Sequence, residues 1–212
     1  MVALGTMEGM GALALRFTIL TASRTGEVRG MQWREVNMDN AIWTVPPARM
    51  KARRLHRVPL SDAAFSILAT LRPEKPGADA LVFPGGRSHA ALSDMTLSAV
   101  VRRMNGISEV AAIATGQDAG KPRWCDLVGR AVVPHGFRSS FRDWAGETRS
   151  EGREVVERAL AHTIKDKAEA AYARSDLLEK RRVLMEGWAQ HFGRQPATVA
   201  SLDAGRAARA VG

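Results

Sequence analysis

The sequence predicts an α+β fold, mainly α-helical with one small antiparallel β-sheet. Three observations predict it. Apolar residues recur at helical spacing in segments spread along most of the chain, each bounded by turn or capping signals. A short run rich in β-branched and aromatic residues, 41–46, is followed ten residues later by Arg57-Val58-Pro59-Leu60, and the two read as the arms of one hairpin. An apolar content of 45% in 212 residues without internal repeats supplies one packed core, so a single domain over 1–192 is expected.

The elements follow in chain order. Residues 12–20 are almost wholly apolar and predict a buried helix that ends near the turn signal Thr21-Ala22-Ser23-Arg24-Thr25-Gly26. A second, short helix is expected from Thr25 to about Gln32, with Glu27 favouring its first turn. The strand 41–46 closes on a Pro-Pro pair, and residues 47–56 form the hairpin tip before the partner strand 57–60. Ser61-Asp62 opens a helix by N-capping, with Phe65, Leu68 and Leu71 on one face. Ser93-Asp94 is expected to cap a second amphipathic helix over 95–104.

From 105 to 130 the pattern weakens among scattered glycines, which reads as an insertion or long loop with a short helix at 109–114. Helical spacing resumes over 137–147 and 153–161. It returns most strongly over 177–192, where Leu177, Leu184, Trp188 and Phe192 share a face that serves either core packing or a neighbouring subunit. Residues 193–212, rich in Ala and Gly, are expected to be a frayed, disordered tail.

Composition narrows the function. With 31 Lys+Arg against 22 Asp+Glu the formal net charge is +9, which points to a polyanionic partner, most plausibly nucleic acid. The single cysteine, Cys125, excludes an intramolecular disulfide framework and a cysteine-rich zinc module. Arg16 and Arg24 interrupt the N-terminal apolar stretch, and the chain starts without the charged region of a signal peptide. A cytoplasmic protein with no membrane partner is therefore expected. The chain contains one tyrosine, Tyr172.

Several constellations could carry chemistry. Arg49, Lys51, Arg53, Arg54 and Arg57 fall in and beside the hairpin tip with no acidic residue among them. Such a run is ordinarily a solvated basic loop, but a hairpin tip of five cations also suits a DNA groove, where phosphate contacts give affinity without sequence information. His135-Gly136-Phe137-Arg138 puts an imidazole and a guanidinium on one face at the start of a helix. Arg24 ends an apolar helix, where it either pairs with Glu27 or clamps an anion such as a phosphate. His162 and Tyr172 lie ten residues apart. A tyrosine is a usable nucleophile only when cations around its target offset its high pKa, and is otherwise a packing residue.

The order of these signals resembles the tyrosine recombinase, or phage integrase, family. Thr21-Ala22-Ser23-Arg24-Thr25-Gly26-Glu27-Val28 resembles its first arginine box. Arg49-Met50-Lys51 followed by His56-Arg57-Val58-Pro59-Leu60-Ser61 is similar to the β-hairpin of bacterial prophage integrases. Pro134-His135-Gly136-Phe137-Arg138 resembles the second box, and Leu160-Ala161-His162 with Tyr172 and Arg174 the third. Trp188 near the end of the last helix fits as well. The resemblance covers residues 12–192. One departure is Ala161, where the family usually has glycine.

The resemblance implies the tyrosine recombinase catalytic-domain fold and site-specific recombination on double-stranded DNA, as in prophage or genomic-island integration or excision. Tyr172 would attack a phosphodiester to form a 3′-phosphotyrosine and release a 5′-hydroxyl, with Arg24 and Arg138 on the non-bridging oxygens. His135 would assist by hydrogen bonding or proton transfer, Lys51 would protonate the leaving oxygen, and His162 would hydrogen-bond the phosphate. Glu27 would orient Arg24 or His135, and Arg49, Arg53, Arg54 and Arg57 would meet DNA. Because the phosphotyrosine conserves the bond energy, no cofactor and no metal ion are implied. The family also implies a homo-tetramer on DNA, nucleoid-associated when bound, and N-terminal DNA-binding domains that are expected to be absent from this chain. The alternatives are a non-catalytic DNA-binding remnant or regulator, and a type IB topoisomerase-like activity.

Overall fold

The structure is a computed structural model that describes residues 1–86, 90–106, 122–126, 128–162 and 175–193. After a single turn α1 (Val2–Gly5), the helix α2 (Met10–Leu20) runs through the middle of the molecule. Its sequence is apolar on nearly every side, and a helix of that kind is stable only when surrounded. Packed around it are α3 (Thr25–Arg29), α4 (Asp62–Leu71), α5 (Thr96–Met104) and α8 (Leu178–Gly193). Thr18 and Thr21 are buried in it without loss, because each hydroxyl donates to the carbonyl four residues back at 2.7 Å.

The sheet has three antiparallel strands in sequence order: β1 (Val36–Asn37), β2 (Ile42–Val45) and β3 (His56–Pro59). Trp43 pairs with Val58 and Val45 with His56, so the long hairpin is as expected, with its tip shifted by one residue. The third strand, β1, was not expected. It is two residues long and therefore has no alternation to detect, and Asn37 makes the following turn by accepting from the amide of Asn40 at 2.9 Å. The helices α6 (Gly136–Thr148) and α7 (Arg153–Ala159) complete the described fold.

Capping explains where the helices start. Ser61 accepts from the amide of Ala64 at 3.4 Å and opens α4 as expected. Ser93 does not cap α5. Its hydroxyl meets that of Thr96 at 2.9 Å, and the helix begins at Thr96 behind Met95. The last helix uses its apolar face inside the subunit. Leu184 and Trp188 are fully buried, Trp188 packs with Phe141 and Trp144 at centroid distances of 5.4 and 5.1 Å, and its indole N–H donates to the carbonyl of Ile19 at 2.8 Å. That bond pins α8 to the end of α2, beside the segment carrying Arg24. Gly193, the first residue of the expected tail 193–212, ends α8 instead. The rest of that tail, the expected helix at 109–114 and Tyr172 lie outside the described residues.

Candidate active site

The site is assembled where α2 ends. Ala22 takes a left-handed conformation (φ 48°), and the chain turns into α3 with Arg24 at its N-cap. Glu27, buried one turn later, accepts from the backbone amide of Arg24 at 2.9 Å and from its guanidinium at 2.8 Å. The ion pair expected from the sequence is therefore present. It also aims Arg24, whose side chain stays 27% exposed.

Arg138, in the first turn of α6, is buried and bridges two segments. One of its nitrogens donates to the carbonyl of Ala22 and another to that of Leu160 at 2.7 Å. Burial first, and then the positive charge of Arg24, pull the Arg138 guanidinium down to about 10, with Glu27 opposing. Two guanidiniums are thus brought together in a partly desolvated recess. One carboxylate, that of Glu27, stands against the two guanidiniums, and the net positive charge that remains favours an oxyanion such as a phosphate. His135 is exposed at the N-cap of α6, one helical turn before Arg138.

The third piece comes from the end of α7. Ala161 is left-handed (φ 50°), and the amides of Ala161 and His162 donate back to the carbonyls of Arg158 (3.0 Å) and Glu157 (2.9 Å). This paired closure ends the helix and sets His162 just beyond the Leu160 carbonyl that Arg138 grips. The left-handed angle explains the family's glycine at this position. Ala161→Gly is expected to stabilise the chain by about 0.5–1 kcal/mol, read as a higher urea midpoint at unchanged slope.

The basic hairpin separates into two groups. Lys51, Arg53 and Arg54 are exposed on the tip, with Arg53 left-handed (φ 51°). Among the described residues no hydrogen bond or ion pair joins Lys51 to the recess. Arg49 departs from the expectation of a DNA-facing cation. It turns inward, donating to the carboxylate of Glu35 and to the backbone carbonyl of Glu27, while Glu35 also accepts from the indole of Trp43 at 3.1 Å. A buried carboxylate needs such partners, and Glu35 takes the nearest arginine away from the surface. Arg57 lies on β3 and pairs with Asp176 at 2.7 Å.

Asp176 is also held by Arg181 of α8 at 3.1 Å, and Arg181 donates to the carbonyl of Arg57. The sequence reading assigned no role to Arg181, which is buried in a helix whose other charges are mostly exposed; desolvation lowers it to about 10. These bonds fix the chain immediately after the segment 163–174 that contains Tyr172.

His56 was also missed. It opens β3, facing the same side as buried Val58, and hydrogen-bonds the backbone carbonyl of Ala159. Burial, and the charges of Arg181, Arg138 and Arg24, push its imidazole down to about 4. The two-residue alternation of the strand was the signal available. A neutral His56 has a consequence for stability. The unfolded chain takes up this proton near pH 6.5 and the folded chain only near 4, so stability is lost as pH falls through that window. Between pH 7 and 5 the cost is about 2 kcal/mol. His56→Gln is expected to flatten that part of the stability profile; an unchanged slope in urea titrations would contradict it.

With the geometry in place, relatives can be compared. Prophage integrase IntA of Escherichia coli (strain K12) is 34% identical over 174 residues, which are 81% of this chain and 36% of that protein. The integrase of Enterobacteria phage P4 is 29% identical over 197 residues, covering 86% of this chain and 40% of its own. The chain spans about two fifths of the length of such curated relatives. Among solved structures, the integrase from mycobacterium phage Brujita gives a TM-score of 0.55 at 14% identity, over 87% of this chain and 54% of that one. The Tn1549 transposon integrase in complex with transposon right end DNA gives 0.54 at 12% identity, over 89% and 63%. These likenesses establish a shared fold, the α+β arrangement expected from the sequence. Residues 7–178 match the phage integrase family, and the chain belongs to that family.

Proposed function

We propose that this chain is the catalytic domain of a tyrosine-type site-specific DNA recombinase, acting on double-stranded DNA in integration or excision of a mobile element. The observation that carries the reading is the recess in which Arg24 and Arg138 converge beside His162. A buried guanidinium beside a second, part-exposed one suits a phosphodiester whose charge grows in the transition state.

In this mechanism the Tyr172 phenol attacks phosphorus. A 3′-phosphotyrosine bond forms as the bond to the 5′-oxygen breaks, and Lys51 supplies the proton that the departing oxygen takes up. Arg24 and Arg138 hold the non-bridging oxygens, His135 assists by hydrogen bonding or by taking up the proton that the phenol gives up, and His162 hydrogen-bonds the phosphate. Glu27 aims Arg24. Lys51 stands on the exposed hairpin tip, so it reaches the phosphate when DNA draws the tip inward. Arg53 and Arg54 contact the DNA backbone there, while the ion pair of Arg57 with Asp176 favours a supporting role for Arg57. Attack of a free 5′-hydroxyl on the phosphotyrosine reverses the step on a new partner strand, so the reaction draws on no nucleotide or metal.

Full strand exchange is assigned to a homo-tetramer on paired sites. Among the described residues no helix is long and apolar enough to cross a membrane. The test is a nicked duplex, carrying a site selected from a random-sequence pool, that traps the cleaved state. A denaturant-resistant protein–DNA adduct is expected. Lys51→Ala is expected to slow its formation by about a hundredfold or more while DNA affinity falls less than about threefold. Equal losses would reduce Lys51 to a phosphate contact, and a chain that binds the duplex but never forms an adduct is a DNA-binding module.

A further inference from the structure

We propose that Glu157 is a positioning residue that fixes which nitrogen of His162 faces the phosphate, a step that rests on the reading of His162 given above. Glu157 and His162 occupy the two ends of the helix-closing motif at α7, where the amide of His162 bonds the carbonyl of Glu157. Those two positions ordinarily hold a pair of apolar side chains in contact. Here they hold an imidazole and a carboxylate instead, with His162 Nδ1 2.6 Å from Glu157 Oε2. An apolar pair would close the helix as well, so the polar pair requires another reason.

The carboxylate has a cation beside it. Arg142 approaches its other oxygen at 3.2 Å as an ion pair without a hydrogen bond, and Arg142 lies on α6 one turn beyond Arg138. One face of α6 therefore hydrogen-bonds the Leu160 carbonyl through Arg138 and places the charge of Arg142 beside the Glu157 carboxylate. An ionised carboxylate only accepts hydrogen bonds. Nδ1 must then carry the proton, and Nε2, across the ring, is the nitrogen left to face a ligand. The ring keeps 38% of its surface exposed, so that nitrogen has access to one.

The test uses the whole chain and two variants. Long-range proton–nitrogen correlation spectra, recorded with the His162 ring neutral, are expected to show a proton on Nδ1 in the wild type. Glu157→Gln, which keeps an acceptor oxygen, is expected to retain it, and Glu157→Ala to move the ring toward the Nε2–H form. A wild-type ring protonated mainly on Nε2, or a ring unmoved by Glu157→Ala, overturns the proposal.

On the nicked duplex, Glu157→Ala is expected to slow adduct formation about tenfold and Glu157→Gln less than about threefold. In a His162→Ala background, Glu157→Ala is expected to add nothing further. A full second loss there would show that Glu157 acts elsewhere and overturn the proposal. Failure of the underlying reading looks different: His162→Ala alone would then cleave at the wild-type rate, whatever the tautomer.

Discussion

Replacing Arg138 by methionine is expected to slow DNA cleavage by about a thousandfold or more while shifting folding stability by no more than about 2 kcal/mol. Two opposed effects keep the stability change small. The carbonyls of Ala22 and Leu160 lose their donors, which costs a kilocalorie or two on the usual scale for buried acceptors. Against this, a buried cation disappears from beside Arg24 and His56, whose charges or titration it opposes. Methionine fills much of the stem volume. Catalysis has no such compensation, because the recess loses half of the positive charge directed at the phosphate.

Arg138→Lys separates charge from shape. It keeps a cation but cannot bridge two carbonyls while still presenting a nitrogen to the ligand, so a loss of about a hundredfold is expected. Sulfate provides a reading without DNA. It is expected to raise the melting temperature of the wild type more than that of Arg138→Met, because only the wild type has two guanidiniums to relieve. Equal effects of sulfate would argue against an anion site at Arg24 and Arg138.

The fold was legible in the sequence where one physical rule dominated locally. The apolar run of α2 is long enough to read as a buried helix, the strand signal of 41–46 and its partner 57–60 flank a polar tip as in a hairpin, and Ser61 caps where a hydroxyl precedes an amphipathic run. The residues of the recess were legible for a different reason. Arg24, Arg138 and His162 stand in an order shared with a known family, and Arg138 bonds the segments that carry the other two through the carbonyls of Ala22 and Leu160.

What the sequence hid was tertiary. A count of cations in the hairpin cannot reveal that Glu35, fourteen residues upstream in chain order, draws Arg49 inside. Nor does a strand histidine announce that three arginines from separate elements will face it, as they face His56. Arg181 looks like any charged residue of an exposed helix until Asp176 and the Arg57 carbonyl are placed beside it. The strand β1 is too short to have a pattern at all.

The second large effect belongs to Tyr172. Tyr172→Phe removes one oxygen from the only tyrosine in the chain, and covalent adduct formation is expected to fall to nothing detectable. Phenylalanine preserves the ring and alters no charge at neutral pH, so DNA affinity and the urea midpoint are expected to stay at their wild-type values. A loss of affinity in parallel with the adduct would instead assign Tyr172 to binding. Supporting cations are as necessary as the oxygen, because a phenol with an ordinary pKa near 10 is a weak nucleophile until Arg24 and Arg138 draw charge off the phosphate it attacks.

The most direct measurement is the mass of the peptide that carries DNA. Wild-type chain is trapped on the nicked duplex, digested with trypsin and nuclease, and the modified peptide sequenced by mass spectrometry. A single nucleotide remnant, joined through its 3′-phosphate, is expected on residues 168–174 with the mass added at Tyr172. A remnant on any other residue, or one joined through a 5′-phosphate, would contradict the role of Tyr172 as nucleophile.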